Sequence, residues 1–228
     1  MKRTRHGEHL HKLTRQGWVN CYLVEEDDGF TLVDTGIPGS ATDLVRAASE
    51  AGGEIRRIAL THAHQDHVGS LAKLREKLPD AEVLVPARDA RFMRGDKSID
   101  ADEPQAKPRG GYPEVDVEPT RLLGPGDRVG SLEVVATPGH TPGHVAYLDT
   151  RDGSAVAGDT FQTLGGVAVS GKLRPLFPFP AMATWHKPTA LDSARRLRER
   201  EPSRLAVGHG RVLESPREQM DRAIADAS

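Results

Sequence analysis

The sequence predicts an α/β (α+β) layered domain. Short apolar runs of strand length alternate with amphipathic runs of helix length along most of the chain. Several of the apolar runs end in a polar residue flanked by glycine. The chain has 228 residues, 37% hydrophobic and 28% charged. That is enough to bury one core, so residues 1–228 are expected to form one domain with loop insertions at about 94–120 and 165–188.

The elements follow in order. Val19–Glu25 and Phe30–Asp34 read as strands joined by the turn Asp27-Asp28-Gly29. Ala41–Ala51 reads as a helix, with Leu44, Val45 and Ala48 on one side and Gly52-Gly53 ending it. Ile55–Thr61 is a strand, and Ser70 is placed to cap a helix over Leu71–Leu78 that Pro79 stops. Glu82–Val85 is another strand. The stretch from Arg94 to Pro119 holds four prolines and three glycines among many charges, so it reads as a surface loop. Strands resume at Leu132–Ala136, Val145–Leu148 and Ala155–Ala157. A second long loop, residues 165–188, has the apolar centre Leu176-Phe177-Pro178-Phe179-Pro180. A helix over Pro188–Arg200, a strand at Leu205–Val207 and a helix over Pro216–Ala225 complete the pattern.

Composition excludes several function classes. Thirty-one basic against 33 acidic residues leave a formal charge of −2, with no electrostatic footprint for nucleic acid or an anionic membrane. The basic run Arg195–Arg200 is interleaved with apolar residues and reads as a solvated helix face. The one cysteine, Cys21, lies in a strand-like run and reads as a buried thiol. Met1–His11 is polar, with no apolar segment like that of a signal peptide, and no run of about 18 apolar residues exists. A cytoplasmic protein acting on a small molecule is expected. His6, His9 and His11 read as a solvated tail, and His186 as a surface residue.

The chemistry concentrates in Thr61-His62-Ala63-His64-Gln65-Asp66-His67, three histidines and an aspartate at a strand end. Imidazole and carboxylate are the nitrogen and oxygen ligands of zinc and related cations. A histidine-rich run by itself also fits a surface patch. Three further sites argue for ligation: His140, Asp159 and His209 each follow a strand and sit beside glycine, which lets loops approach closely.

This set of motifs resembles the metallo-β-lactamase superfamily. The paired histidines with aspartate and histidine at 62–67, then His140, Asp159 and His209 in order, match the family's ligand pattern, and Leu32-Val33-Asp34-Thr35-Gly36 matches a family turn. The resemblance spans about Val19 to Gly210. It implies a four-layer αββα sandwich with two divalent metal ions, zinc or else iron or manganese, at one edge. One metal would take His62, His64 and His140, the other Asp66, His67 and His209, with Asp159 between them. Two such ions can share a hydroxide that attacks a carbonyl, with Asp66 orienting it or passing a proton. Asp34 either touches a ligand from behind or caps its turn, and His144 is structural or supports a ligand.

The resemblance also narrows the reaction. An aspartate at 159 is similar to the thioesterase and lactonase branches and unlike the β-lactamases proper. Phe161 stands where many of the lactonases carry a tyrosine, which leaves Thr160, Lys172 or Arg174 as candidate donors to the substrate. Phe177, Phe179, Met182 and Trp185 either form an apolar substrate wall or pack locally. A metal-dependent hydrolase of an ester, lactone or thioester is expected. The alternatives are a β-lactam hydrolase, a mononuclear iron sulfur dioxygenase and a non-catalytic metal-binding protein.

Overall fold

A computed structural model describes residues 1–228. Seven strands form a first sheet in chain order: β1 (Lys2–His6), β2 (Leu10–Arg15), β3 (Val19–Glu26), β4 (Gly29–Val33), β5 (Ile55–Ala59), β6 (Glu82–Pro86) and β7 (Arg121–Leu123). The first four pair antiparallel and the last four parallel. Parallel pairs need crossovers, and helices supply them: α1 (Ala41–Glu50), α2 (Gln65–Val68), α3 (Leu71–Lys77) and α4 (Asp89–Met93).

The second sheet holds β8 (Arg128–Val129), β9 (Leu132–Ala136), β10 (Val145–Asp149), β11 (Ser154–Val156), β14 (Arg204–Ala206) and β15 (Leu213–Glu214), in the spatial order β15-β14-β11-β10-β9-β8. A two-stranded ribbon, β12 (Phe161–Gln162) with β13 (Ala168–Val169), stands apart from it. Helices α5 (Phe179–Ala183), α6 (Lys187–Glu199) and α7 (Arg217–Ala227) follow.

Side-chain alternation sorts the core into three apolar layers between four layers of secondary structure. On β3, Cys21 and Leu23 face a cluster that includes Leu44, Ala48, Leu71 and Leu74 of α1 and α3. Tyr22 and Val24 face the opposite way, into a cluster between the sheets with Val134, Val145, Tyr147 and Ala206. On β10, Ala146 and Leu148 turn outward to Ala194, Leu197, Met220 and Ala223 of α6 and α7. Helices, sheet, sheet and helices therefore stack as the αββα sandwich. No helix is long and apolar enough to cross a membrane.

Three expectations need correction. The N-terminal segment is a hairpin of β1 and β2, and His11 is buried with its Nε2 2.6 Å from Glu25 Oε1. Pairing with an existing strand edge satisfies its backbone, which a polar composition does not reveal. Ser70 does not cap α3 through its side chain. Its hydroxyl instead donates to Ile37 O and accepts from Ser40 N, stapling the loop after β4. The loop at 165–188 carries β13 and α5, whereas residues 94–120 hold no helix or strand.

Two buried tyrosines connect the core to the loops above it. Tyr22 Oη donates to Val207 O and Tyr147 Oη to Leu60 O, each at 2.6 Å. Those carbonyls lie just before the His209 loop and the Thr61–His67 loop. A buried hydroxyl needs such a partner, and here the partner is the backbone that launches each polar loop.

Candidate metal centre

The loops after β5, β9, β11 and β14 converge at one edge of the sandwich. They bring together His62, His64, His67, His140, Asp159 and His209, all buried, with Asp66, whose side chain is 27% exposed. Ligand atoms of His62, His64 and His140 lie within 4.8 Å of one another, as do those of Asp66, His67 and His209, and those of His62, His67 and Asp159. All seven residues singled out in the sequence therefore sit in one cluster.

The orientation of each imidazole has a physical cause. Asp34 adopts a left-handed backbone, φ 63°, which aspartate tolerates better than most residues. Its Oδ1 accepts from Thr61 N at 2.8 Å and its Oδ2 from His67 Nδ1 at 2.7 Å. Thr61 Oγ1 donates to Asp34 Oδ2, so its oxygen accepts from His62 Nδ1 at 3.0 Å. His64 Nε2 donates to Arg109 O at 2.9 Å, and His209 Nδ1 to Trp18 O at 2.9 Å. His140 Nδ1 donates to Ser170 Oγ at 2.8 Å. Every outward ring nitrogen has an oxygen partner, which turns the other ring nitrogen of each histidine inward. Asp34 thus touches a ligand from behind, the first of its two expected roles.

The inward nitrogens fit a cation. His64 Nδ1 lies 3.1 Å from His62 Nε2 and 3.0 Å from His140 Nε2. Three lone pairs at that distance repel. A tetrahedral ion with bonds of about 2.0–2.1 Å holds its nitrogens at roughly 3.3 Å. In the second group, His67 Nε2 and Asp159 Oδ1 are buried without a hydrogen-bond partner, 3.5 Å apart. Orphaned buried polar atoms call for an explanation, and a shared cation supplies one. Asp159 Oδ2 lies 3.3 Å from His140 Nε2 and 3.2 Å from His209 Nε2, so the carboxylate faces both groups.

The electrostatics differ between the groups. Burial, reinforced by the neighbouring imidazoles, holds His62 well below the ordinary histidine range, and burial also lowers His64 and His140. Burial works the same way on His67, but Asp34, Asp159 and Asp66 outweigh it and push that ring up to about 9. Burial opposes the charge of Asp66, yet His67 and His209 hold its carboxyl below the usual range. The first group is thus neutral and the second strongly polar.

His144 supports the aspartate. Its Nδ1 lies 2.8 Å from Thr137 Oγ1, and its Nε2 accepts from Asp159 N at 3.0 Å. Burial lowers its pKa to about 3, consistent with a neutral acceptor.

A cleft of about 480 Å³ opens over the cluster, lined by His64, Asp66, His140, Asp159 and His209 with Trp18, Ile37, Pro38, Phe179, Pro180 and Ala183. Sequence reasoning missed Trp18, whose indole stacks on His209 at 5.8 Å. The expected wall is divided. Phe179 reaches the cleft, whereas Phe177 and Trp185 are buried. Trp185 Nε1 donates to Ala106 O, tying one long loop to the other. Met182 is exposed outside the lining. Lys172 and Arg174 pair with Asp226 of α7 and do not line the cleft, and neither does the buried Thr160. His186 caps α6, its ring accepting from Thr189 N. Ser170, Thr184 and the carbonyls of Trp18 and Arg109 gave no signal in the sequence, because a backbone acceptor has no residue code.

A family model described as the Metallo-beta-lactamase superfamily matches residues 15–209. The chain belongs to that superfamily. YobT of Bacillus subtilis (strain 168), named an uncharacterized protein, is 49% identical over 210 residues, 92% of this chain and 90% of YobT. "Probable metallo-hydrolase YflN" of the same organism is 30% identical over 224 residues, 88% of this chain and 83% of YflN. A hydroxyacylglutathione hydrolase of Xanthomonas euvesicatoria pv. vesicatoria (strain 85-10) is 32% identical over 147 residues, 63% of this chain but 46% of that enzyme. The crystal structure of TTHA1623 in a di-iron-bound form superposes with a TM-score of 0.66 at 28% identity, covering 90% of this chain and 94% of that one. Superfamily membership and these relatives make the chain a metallo-hydrolase-type enzyme whose histidine and aspartate cluster fits a divalent metal site.

The loop at 94–120 presses on this cluster at Gly110. Its φ is +89°, and a Cβ there would lie 2.4 Å from His64 Nε2. Gly110→Ala is expected to displace either Arg109 O or His64 and to weaken metal binding by about tenfold or more. Gly111→Ala, whose Cβ meets nothing nearer than 3.7 Å, is expected to bind metal as the parent does. Equal metal affinity in both variants, measured by chelator competition, would refute this account of the loop.

Proposed function

We propose that the chain hydrolyses a carbonyl compound, an ester, lactone or thioester, with two divalent cations. One is held by His62, His64 and His140, the other by Asp66, His67 and His209, and Asp159 serves both. The observation that carries this reading is the convergence of inward imidazole nitrogens and carboxylates beneath an open cleft. The nitrogen and oxygen donors suit zinc, and the di-iron form of TTHA1623 keeps iron as the alternative. Bound there, such cations polarise a carbonyl oxygen and lower the pKa of water toward about 7.

The protein's own groups do the rest. The outer acceptors hold the imidazole rings in place, so little reorganisation accompanies reaction. Asp66 is the one ligand with appreciable exposure to the cleft. Its carboxylate is placed to orient water or to carry a proton toward a leaving group. Trp18, Ile37, Pro38 and Phe179 offer apolar surface beside it and exclude water from one side of a bound acyl group. The hydroxyacylglutathione hydrolase relatives favour a thioester among the candidate substrates.

Three outcomes are expected. Elemental analysis of metal-replete protein should give about two equivalents per chain; one iron and no zinc would move the assignment to the mononuclear iron enzyme. In a panel of chromogenic esters, thioesters, lactones and a β-lactam, Asp66→Ala should lower kcat by roughly a hundredfold or more while KM changes little. A fully metallated, active Asp66→Ala protein would remove Asp66 from the chemistry. Along a series of lengthening acyl chains, each buried methylene should add selectivity of up to about 0.8 kcal/mol. Phe179→Ala should flatten that dependence, whereas Trp185→Ala, which empties a buried site, should cost about 3–5 kcal/mol of stability. A flat profile in the parent ends the apolar-wall reading.

A further inference from the structure

Asp89 is a fully buried carboxylate outside the ligand set. It opens α4, directly beneath two of the ligand loops. Its Oδ2 accepts from Ala63 N at 2.9 Å and from Thr141 Oγ1 at 2.7 Å, and its Oδ1 accepts from Gly143 N at 2.7 Å. Ala63 stands between His62 and His64. Thr141 directly follows His140, and Gly143 directly precedes His144. No cation contacts Asp89, because the neighbouring Arg88 turns away to Glu103 at 2.7 Å.

A buried carboxylate without a cationic partner is costly. Burial pushes this one up to about 6 even though three donors oppose the shift. An apolar residue would fill the space at lower cost but would leave Ala63 N, Thr141 Oγ1 and Gly143 N unsatisfied. Those donors belong to two loops that no sheet ladder joins, although Val145 N donates to Thr61 O at their base, at 3.0 Å. One loop follows a strand of the first sheet and the other a strand of the second, so sheet pairing does not fix their spacing. The approach is close: a Cβ on Gly143 would lie 2.4 Å from Asp89 N.

We propose that Asp89 is a positioning residue for one metal, its carboxylate clamping the His62–His64 loop to the His140 loop and so setting the 3.0 Å spacing of His64 Nδ1 from His140 Nε2. The proposal rests on the two-metal reading above. The Asp66, His67 and His209 group is held by Asp34, which also reaches His62 through Thr61, and by the Trp18 carbonyl. Asp89 touches Ala63 and Thr141, which flank His62, His64 and His140, and makes no contact beside His67 or His209, so loss of its clamp should be felt at the first group.

The test uses zinc as the probe in the full chain. Asp89→Asn leaves one oxygen for three donors and turns an amide N–H toward one of them. Thr141→Val removes a single donor and is the milder variant. Zinc affinity is measured by chelator competition, and long-range proton–nitrogen spectra of the imidazoles report which histidines release the metal. In Asp89→Asn the zinc at His62, His64 and His140 is expected to bind tenfold to a hundredfold more weakly, with a smaller change in Thr141→Val. His67 and His209 should keep their metal-bound signals in both. Asp149→Asn, which alters another buried carboxylate on β10, should lower Tm without selective loss. Unchanged zinc affinity in Asp89→Asn and Thr141→Val, or equal loss at both groups, would overturn the proposal. If Asp89→Asn does not fold, Thr141→Val decides by the same criterion. A parent that binds no zinc at all brings down the metal reading, and this inference with it.

Discussion

Five imidazoles buried at the seam of two sheets impose the constraint on which the rest of this structure depends. A buried ring nitrogen must find a partner. Five outward nitrogens therefore take oxygen acceptors from Thr61, Arg109, Asp34, Ser170 and Trp18. The acceptors come from segments far apart in the chain: the loops after β2, β4 and β5, the loop at 94–120 and the turn after β13. To satisfy the rings, the protein folds each of these segments against the same edge. The two long loops are thereby drawn into the site, although they add little to either sheet.

The core transmits the same constraint downward. Tyr22 and Tyr147 lie between the sheets and direct their hydroxyls to carbonyls at the bases of two ligand loops. Asn20 adds two further bonds to the His209 loop, through Val207 O and Gly210 O. A buried neutral hydrogen bond contributes about 1 kcal/mol, so these contacts are modest as stability. Their larger consequence is positional, because they fix where a rigid strand releases its chain into a loop. The sandwich interior and the polar edge are therefore one connected arrangement.

The apolar side of the cleft shows a different balance. Phe177 and Trp185 are spent on packing, and Trp185 also donates to Ala106 O. That arrangement leaves Phe179, Pro180 and Ala183 to line the cleft together with Trp18. Aromatic residues in a loop carry no label for these two roles. Burial decides between them, and burial depends on what the second loop covers.

The amino-acid sequence by itself determined the layered fold, most strands and helices, and the ligand-type residues, because these depend on local periodicity and on residue chemistry. Alternating apolar positions placed β3, β9 and β10, and glycine-flanked histidines and aspartates at strand ends marked the cluster. The tertiary structure alone decided how those residues are held. The β1–β2 hairpin needed an existing edge to pair with, and its polar sequence gave no apolar run to read. Arg109 and Trp18 act through backbone carbonyls, which every residue type possesses. Asp89 is one of many aspartates in the sequence, and only the meeting of two distant loops on its carboxylate gives it a role. Long-range hydrogen bonds depend on which loops the sheets bring together, and that information is absent from any single stretch of chain.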